Sequence, residues 1–145
     1  RVIGERTSVD PDLLRHIREA EILTRENETL DLVIAFNYGA RQELVAAART
    51  LAARVRDGDL APEEITTDRL QACLSTADLP DPELLIRTSG EQRLSNFLLW
   101  QLAYAEFIFL DVKWPDFSKA HLVEAIARFH NRERRFGGLA AAASR

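Results

Sequence analysis

The sequence predicts an α/β fold with a mostly parallel sheet and helices on both faces. Two observations predict it: short apolar runs alternate with segments of helical period, and the run from Leu32 to Phe36 lacks apolar–polar alternation. Strands covered on both faces lack such alternation, and strands that alternate with helices pair in parallel through right-handed crossovers. The length of 145 residues predicts one domain over residues 1–145.

The first half of the chain predicts two strands and two long helices. A truncated strand, "VIG", precedes a helix that begins at Pro11, with Asp10 as its N-cap. The run Leu32 to Phe36 is the second strand. The segment "ARQELVAAARTLAARVRDGDL" carries an apolar stripe at helical spacing, and Gly58 is its natural stop.

The second half continues the alternation. A short helix in "TTDRLQACLST" leads to a third strand, "ELLIR", and a fourth follows in "EFIFLDV". Between these strands "NFLLWQLAYAE" predicts a helix with Ser95 as its N-cap. The last helix begins after Ser118, and Gly137 can end it.

Composition narrows the classes of function. The net charge of −4 argues against a nucleic-acid binder, whose surface would be basic. Seventeen of the 19 basic residues are arginine, which suits phosphate contacts but also follows from a biased genome composition. The single Cys73 excludes an internal disulfide and predicts a reducing, cytoplasmic location. No apolar run approaches the roughly 18 residues of a membrane span.

Two arginines and a serine form the strongest candidate site. Arg87 follows the apolar "LLI" and therefore emerges at the carboxyl edge of its strand, where ligands of parallel sheets gather. Arg93 and Ser95 follow a loop in which Gly90 permits a turn. Two guanidinium groups, a hydroxyl and a helix N-terminus favour a ligand with two or three negative charges.

A purely structural interpretation of the same residues stays open. Arg87 and Arg93 can pair with local acids such as Glu83 and Glu91, and Ser95 can be only a helix cap. The segment matches neither the phosphate-binding P-loop pattern nor the dinucleotide-binding glycine pattern.

The segment "ELLIRTSGEQRLSNFLLWQLAYAEFIFLDVKWPDF" resembles the signature of the cis-prenyltransferases, the undecaprenyl diphosphate synthase family. "FNYGARQELV" and "NRERRFGG" resemble two further segments of that family, so the likeness extends along nearly the whole chain. It implies an incomplete version of the family fold. It also implies an enzyme that condenses isopentenyl diphosphate onto an allylic diphosphate with cis geometry, to make a polyprenyl diphosphate of the undecaprenyl type.

The resemblance also implies site residues. Those matching the isopentenyl diphosphate site are Arg87, Arg93, Leu94 through its backbone, and Ser95. Glu106 matches an acid that helps to position Mg²⁺. Arg135 and Gly137 match an element that reaches the partner's active site in dimeric members, so a homodimer is expected, with transient membrane contact during product release.

The position of Glu106 poses a geometric problem. Ser95 and Glu106 are eleven residues apart, which is about 16 Å along an unbroken helix. Both cannot serve one diphosphate directly at that distance. Either the helix breaks near Ala103–Tyr104 or Glu106 serves the site of a neighbouring subunit, and we favour the second hypothesis.

The chain departs from the family pattern in three ways. Gln92 stands where some members have histidine, and Ala40 replaces the second glycine of "NYGGR"; Asn37 and Arg41 in that segment are interpreted as structural. The resemblance also implies a segment "DGNGRWA", which in the family holds the allylic diphosphate and contains the main catalytic aspartate. That segment does not occur here. We therefore expect residues 1–145 to be the C-terminal part of the enzyme, with little activity alone.

Two other functions stay open at this stage. The first is a non-catalytic partner subunit of a two-chain cis-prenyltransferase, although such a subunit need not keep Arg87, Arg93 and Ser95. The second is a phosphate-ligand binding domain of unrelated function.

Overall fold

The structure is a computed structural model that describes residues 1–131. Its order of helices and strands agrees with the predicted α/β class, except for one helix discussed below. The elements are β1 (Val2–Ile3), α1 (Pro11–Thr24), β2 (Ile34–Ala35), α2 (Ala40–Arg56), α3 (Thr67–Gln71), β3 (Leu84–Arg87), β4 (Glu106–Phe109) and α4 (Lys119–His130).

Local chemistry explains where the helices begin and end. The Asp10 side chain accepts hydrogen bonds from the N–H groups of Asp12 and Leu13, and Pro11 occupies the first helical position of α1. Gly58 follows the end of α2 with a φ of 82°, a left-handed conformation that glycine adopts readily. Ser118 is the N-cap of α4. These three predicted boundaries are confirmed.

The strands pair in parallel, as predicted. Within residues 1–131, β1 pairs with β2 in the register Val2↔Ile34, and β3 pairs with β4 in the register Leu84↔Glu106. The described strands thus form two parallel pairs rather than one continuous sheet.

The chain divides into two compact units. The first, unit 1, comprises Arg1–Asp81 and Leu94–Ala103, and the second, unit 2, comprises Pro82–Arg93 and the described residues from Tyr104 onward. In unit 2, Ile108, Leu110 and Ala125 form a buried cluster that packs β4 against α4. In unit 1, the buried face of α2 contains Ala40, Ala47 and Leu51.

The strand β2 is less covered than its sequence predicts. The apolar run around it was predicted to lie between two layers, but Ile34 is 51% exposed and Phe36 is 43% exposed. Leu32, on the same face of the strand, is 62% exposed. Within the part of the chain that the structure describes, this face of β2 is therefore not covered. None of the helices described is both long and apolar enough to cross a membrane.

Candidate functional site

Arg87 and Arg93 lie together in unit 2. Arg87 is the last residue of β3, at the carboxyl end where the sequence predicts it. Its guanidinium Nη1 donates a hydrogen bond to the backbone carbonyl of Arg93. This contact places the Arg87 guanidinium beside the backbone of Arg93. The structure thus brings these two predicted site residues together.

The loop that joins them is fixed by backbone hydrogen bonds. Ser89 and Gly90 both have a φ of 67°. The N–H of Ser89 donates to the Val112 carbonyl at 2.8 Å, and that of Gly90 donates to the Leu110 carbonyl at 2.9 Å. A side chain at Gly90 would start 3.1 Å from the Asp111 carboxylate. The turn predicted at Gly90 is therefore held against the residues that follow β4.

Arg93 pairs with a local acid, as the structural interpretation expects. Its Nη1 lies 2.5 Å from an oxygen of Glu91, and the two side chains are 65% and 38% exposed. Solvent-exposed ion pairs contribute about 1 kcal/mol or less. A diphosphate, which carries more negative charge than one carboxylate, can therefore displace Glu91 at little cost.

Leu94 and Ser95 belong to unit 1, where they form a turn rather than a helix start. The N–H of Phe97 donates to the Leu94 carbonyl at 3.1 Å, which closes a four-residue turn. Its central residues, Ser95 and Asn96, have φ values of 50° and 64°. Leu98, just after the turn, has a φ of 43°. Residues other than glycine seldom adopt this left-handed conformation, and it interrupts a right-handed helix.

The predicted helix over "NFLLWQLAYAE" is consequently wrong. Between Ser95 and Ala105 the backbone forms turns, and Ser95 is not a helix N-cap. Since no helix begins at Ser95, the prediction that a helix N-terminus attracts an anion there is also wrong. The roles expected of the Ser95 hydroxyl and the Leu94 backbone at a diphosphate stay predictions.

Glu106 lies at the opposite end of the strand pair from Arg87. Glu106 is the first residue of β4 and pairs with Leu84, whereas Arg87 pairs with Phe109. Three residues along a strand span about 10 Å. The helix from which we derived the distance between Ser95 and Glu106 does not form, but Glu106 is still remote from the carboxyl end of β3 within this chain.

The acids of the described residues do not form a ready metal site. Among residues 1–131, no three His, Cys, Asp or Glu side chains are close enough together to hold a metal ion. Mg²⁺ often uses only one or two carboxylates and takes its other ligands from phosphate oxygens and water. Glu106 therefore fits the role of one carboxylate ligand, which stays a prediction. Arg135 and Gly137 lie outside the described residues.

A cavity of about 690 Å³ in unit 1 was not predicted from the sequence. Among the described residues that line it are two acids, Glu5 and Glu43, with no arginine or lysine beside them. Ser8, Asn37 and Ser75 are among the neutral polar residues that line it. Because the described lining contains two carboxylates and no arginine or lysine, it does not suit a diphosphate.

Glu43 is the centre of a polar network beside the cavity. It accepts hydrogen bonds from the Tyr38 hydroxyl at 2.7 Å, from the Ser75 N–H at 2.9 Å and hydroxyl, and from the Gln101 amide at 3.2 Å. Gln101 is only 3% exposed and also donates to Thr76. These residues come from distant parts of the chain, so no local motif reveals the network. It fixes α2 to the segments that carry Ser75 and Gln101.

The network makes stability depend on pH. Burial alone would raise the pKa of Glu43, but the hydrogen bonds from Ser75, Tyr38 and Gln101 outweigh it and lower the pKa below its ordinary value. The stability that this carboxylate contributes is present above its unfolded-state pKa of about 4.3 and is lost as the pH falls through the lower folded-state value.

We therefore expect Glu43→Gln to flatten the acid side of the stability profile. In full-length protein the melting temperature of the wild type should fall more steeply between about pH 5 and about pH 3 than that of Glu43→Gln, because only the wild type loses this carboxylate. Thermal melts at a series of pH values measure it. Glu63→Gln, which removes an exposed acid, is the control and should follow the wild type. Parallel profiles for Glu43→Gln and the wild type would contradict the assignment.

Comparison with known proteins identifies the family. The family model for undecaprenyl diphosphate synthase matches residues 1–137. The chain belongs to this family of prenyltransferases. The resemblance found in the sequence is thereby confirmed.

Relatives of the chain carry prenyltransferase names. It is 56% identical over 141 residues to "Isoprenyl transferase 2" of Bradyrhizobium diazoefficiens, a match that covers 97% of this chain and 56% of the relative. It is 52% identical over 137 residues to the "Ditrans,polycis-undecaprenyl-diphosphate synthase ((2E,6E)-farnesyl-diphosphate specific)" of Pseudomonas putida, covering 94% of this chain and 55% of the relative. The chain therefore spans about half the length of the curated relatives it matches.

A solved structure shares the fold. Lavandulyl diphosphate synthase from Lavandula x intermedia, crystallised with dimethylallyl diphosphate, superposes with a TM-score of 0.90 at 41% identity. The match covers 94% of this chain and 58% of the other. The predicted fold class, an incomplete version of the cis-prenyltransferase fold, is confirmed.

Proposed function

We propose that this chain is the C-terminal part of a cis-prenyltransferase. The whole protein condenses isopentenyl diphosphate onto an allylic diphosphate with cis geometry and makes a polyprenyl diphosphate of the undecaprenyl type. The observation that carries the proposal is the meeting of Arg87 and Arg93 after β3, in a chain of this family. The exposed apolar face of β2 supports a larger protein, because such a face is normally covered.

The diphosphate of isopentenyl diphosphate is the ligand proposed for the arginines. Arg87 and Arg93 supply planar guanidinium groups that bind phosphate oxygens in pairs. The Ser95 hydroxyl and the Leu94 backbone add neutral donors. Arg135 and Gly137 of a second subunit complete the set, and the protein is accordingly a homodimer.

In the proposed reaction the double bond of isopentenyl diphosphate attacks the first carbon of the allylic diphosphate. A carbon–carbon bond forms, the bond from that carbon to the diphosphate oxygen breaks, and one proton leaves the new chain. Arg87 and Arg93 orient the attacking substrate. The two reacting carbons are then held close together, which lowers the activation barrier. Mg²⁺, when bound, neutralises charge on the diphosphates. The residues that hold the allylic diphosphate lie outside this chain, which alone should have little activity.

Glu106 is proposed to serve the partner's site. Within its own subunit it lies at the opposite end of the β3–β4 pair from Arg87. A two-fold symmetric dimer can bring the amino end of one subunit's β4 towards the other subunit's ligands. The enzyme is proposed to act in the cytoplasm, with transient membrane contact when the long apolar product leaves.

Labelled isopentenyl diphosphate tests the function. Purified full-length protein is incubated with it, Mg²⁺ and one of three allylic primers: dimethylallyl, geranyl or farnesyl diphosphate. We expect radioactivity in an organic-extractable polyprenyl diphosphate, and the new double bonds should be cis by nuclear magnetic resonance. A folded protein that transfers isoprenyl units to none of the three primers would contradict the proposal.

A further inference from the structure

The turn that carries Leu94 and Ser95 has an unusual backbone that must be held from outside. Ser95 and Asn96 are consecutive residues other than glycine in the left-handed region, with φ values of 50° and 64°. Such conformations persist where the surrounding structure determines them. The turn has only one internal backbone hydrogen bond among those described, from Phe97 to Leu94. The contacts that fix it are therefore found elsewhere.

Asn96 supplies those contacts. Its backbone carbonyl accepts a hydrogen bond from the Ala40 N–H at 2.8 Å, and its side-chain Oδ1 accepts one from the Arg41 N–H at 2.9 Å. Its Nδ2 donates to the Gln42 side chain at 3.0 Å. One residue is thus bound by three consecutive residues of the first turn of α2. Asparagine also tolerates the left-handed conformation better than most residues.

The start of α2 is built to accept Asn96. Its N-cap residue is Gly39, which has no side chain to cap the first N–H groups of the helix. Such groups have no partner within a helix. Asn96 provides acceptors for two of them. A Cβ at Gly39 would lie 2.7 Å from Asn96 Nδ2 and 2.4 Å from Gln42 Oε1, so the missing side chain also makes room for the contact.

We propose that Asn96 is a positioning residue of the diphosphate site. It does not touch the substrate; it fixes the turn so that the Ser95 hydroxyl and the Leu94 backbone are in place before the diphosphate arrives. The proposal rests on the function proposed above. Its anchor is the first turn of α2, a 17-residue helix whose residues Ala40 and Ala47 are each 1% exposed. A site that is ordered in advance loses less freedom on binding.

The same contacts exclude a different site. The N-terminus of a long helix can bind an anion through its free N–H groups. At α2 the N–H groups of Ala40 and Arg41 are already bound to Asn96. The start of α2 therefore holds the turn rather than an anion, and the diphosphate contacts fall to the turn itself.

Two substitutions of Asn96 distinguish the effect of its side-chain contacts from the effect of its left-handed backbone. Asn96→Ala removes the side-chain contacts and disfavours the left-handed backbone. Asn96→Gly removes the same side-chain contacts but keeps the backbone conformation accessible. Leu51→Ala is the stability control: it weakens the packing of α2 at a side chain that is 2% exposed and lies eleven residues, or about 16 Å of helix, beyond Ala40.

Two measurements on full-length protein, made below the lowest melting temperature, test the proposal. One is the affinity for inorganic pyrophosphate by titration calorimetry, and the other is the KM for isopentenyl diphosphate. For Asn96→Ala we expect pyrophosphate affinity about tenfold weaker and KM about tenfold higher, since small displacements in a binding site are costly. Asn96→Gly should lie between Asn96→Ala and the wild type. Leu51→Ala should keep both values despite its lower melting temperature.

The outcomes distinguish this inference from the proposed function. Unchanged affinity and KM in Asn96→Ala would overturn the role of Asn96, as would equal losses in Leu51→Ala. Suppose that the wild type binds pyrophosphate but shows no isoprenyl transfer. The proposed function is then wrong, and the role of Asn96 is decided by the pyrophosphate affinities alone. A wild type that neither binds pyrophosphate nor transfers isoprenyl units would overturn both.

Discussion

In full-length protein, Arg93→Ala should reduce incorporation of isopentenyl diphosphate by at least about 100-fold. A hydrogen bond to a charged group contributes about 1.5–3 kcal/mol, an arginine–phosphate contact often has two of them, and each 1.4 kcal/mol is a factor of ten. Among the described residues the wild-type side chain forms an exposed ion pair with Glu91, which a diphosphate can displace at little cost. Steady-state rates with labelled isopentenyl diphosphate measure the loss.

Two further variants sharpen this prediction. Arg93→Lys keeps the charge but loses the planar fork that matches a phosphate, so its rate should be intermediate. Arg15→Ala is the matched control. Arg15 is also an exposed arginine paired with acids, at 3.1 Å from Glu19 and 3.6 Å from Asp12, but it lies on α1 outside the proposed site. Its rate should stay within about twofold of the wild type, because surface ion pairs contribute little. Equal rates for Arg93→Ala and Arg15→Ala would refute the diphosphate site.

The parts of the fold that depend on neighbouring residues could be predicted from the sequence. The start of α1 follows from Asp10 and Pro11, and the end of α2 follows from Gly58. The parallel pairing followed from the order of strands and helices, and the position of Arg87 followed from the apolar run before it. The helix ends and the position of Arg87 are decided within a few residues, where propensity and capping act. The parallel pairing joins distant residues, but it follows from the crossover rule for strands that alternate with helices.

The parts that depend on distant residues could not be predicted. Apolar residues after Ser95 indicate a helix, but Asn96 is bound by Ala40 and Arg41, more than fifty residues away in the chain. That contact holds the left-handed turn, and tertiary contacts routinely override local propensity. The adjacent pair Ser95–Asn96 contained a usable signal, since asparagine is enriched in this conformation.

The candidate site was predictable in its residue types more than in its arrangement. The sequence left two interpretations of Arg93 open, and the structure shows the pair with Glu91 that the structural one expects. An exposed pair of this kind does not compete strongly with a diphosphate, so the pair is compatible with the diphosphate site, which stays a prediction. The sequence already placed Glu106 at the start of the fourth strand, but its separation from Arg87 became visible only once the register of β3 and β4 was known.

Mixed dimers should show that Glu106 serves the partner's site. Arg93→Ala and Glu106→Ala are each expected to be nearly inactive as homodimers, the first without its diphosphate contact and the second without a metal ligand. If Glu106 acts across the interface, a mixed dimer has one site with both defects and one intact site. Random exchange of the two variants should then restore about a quarter of the wild-type rate, because about half of the dimers are mixed.

The alternative predicts a different result from the same mixture. If Glu106 served its own subunit, each site of the mixed dimer would contain one defect, and exchange would restore no activity. The register of β3 and β4 argues against that arrangement, because it separates Glu106 from Arg87 by about 10 Å along the strands of one subunit. Denaturation and joint refolding of the two variants produce the mixed dimers. Refolding of each variant alone is the control for recovery of activity without exchange.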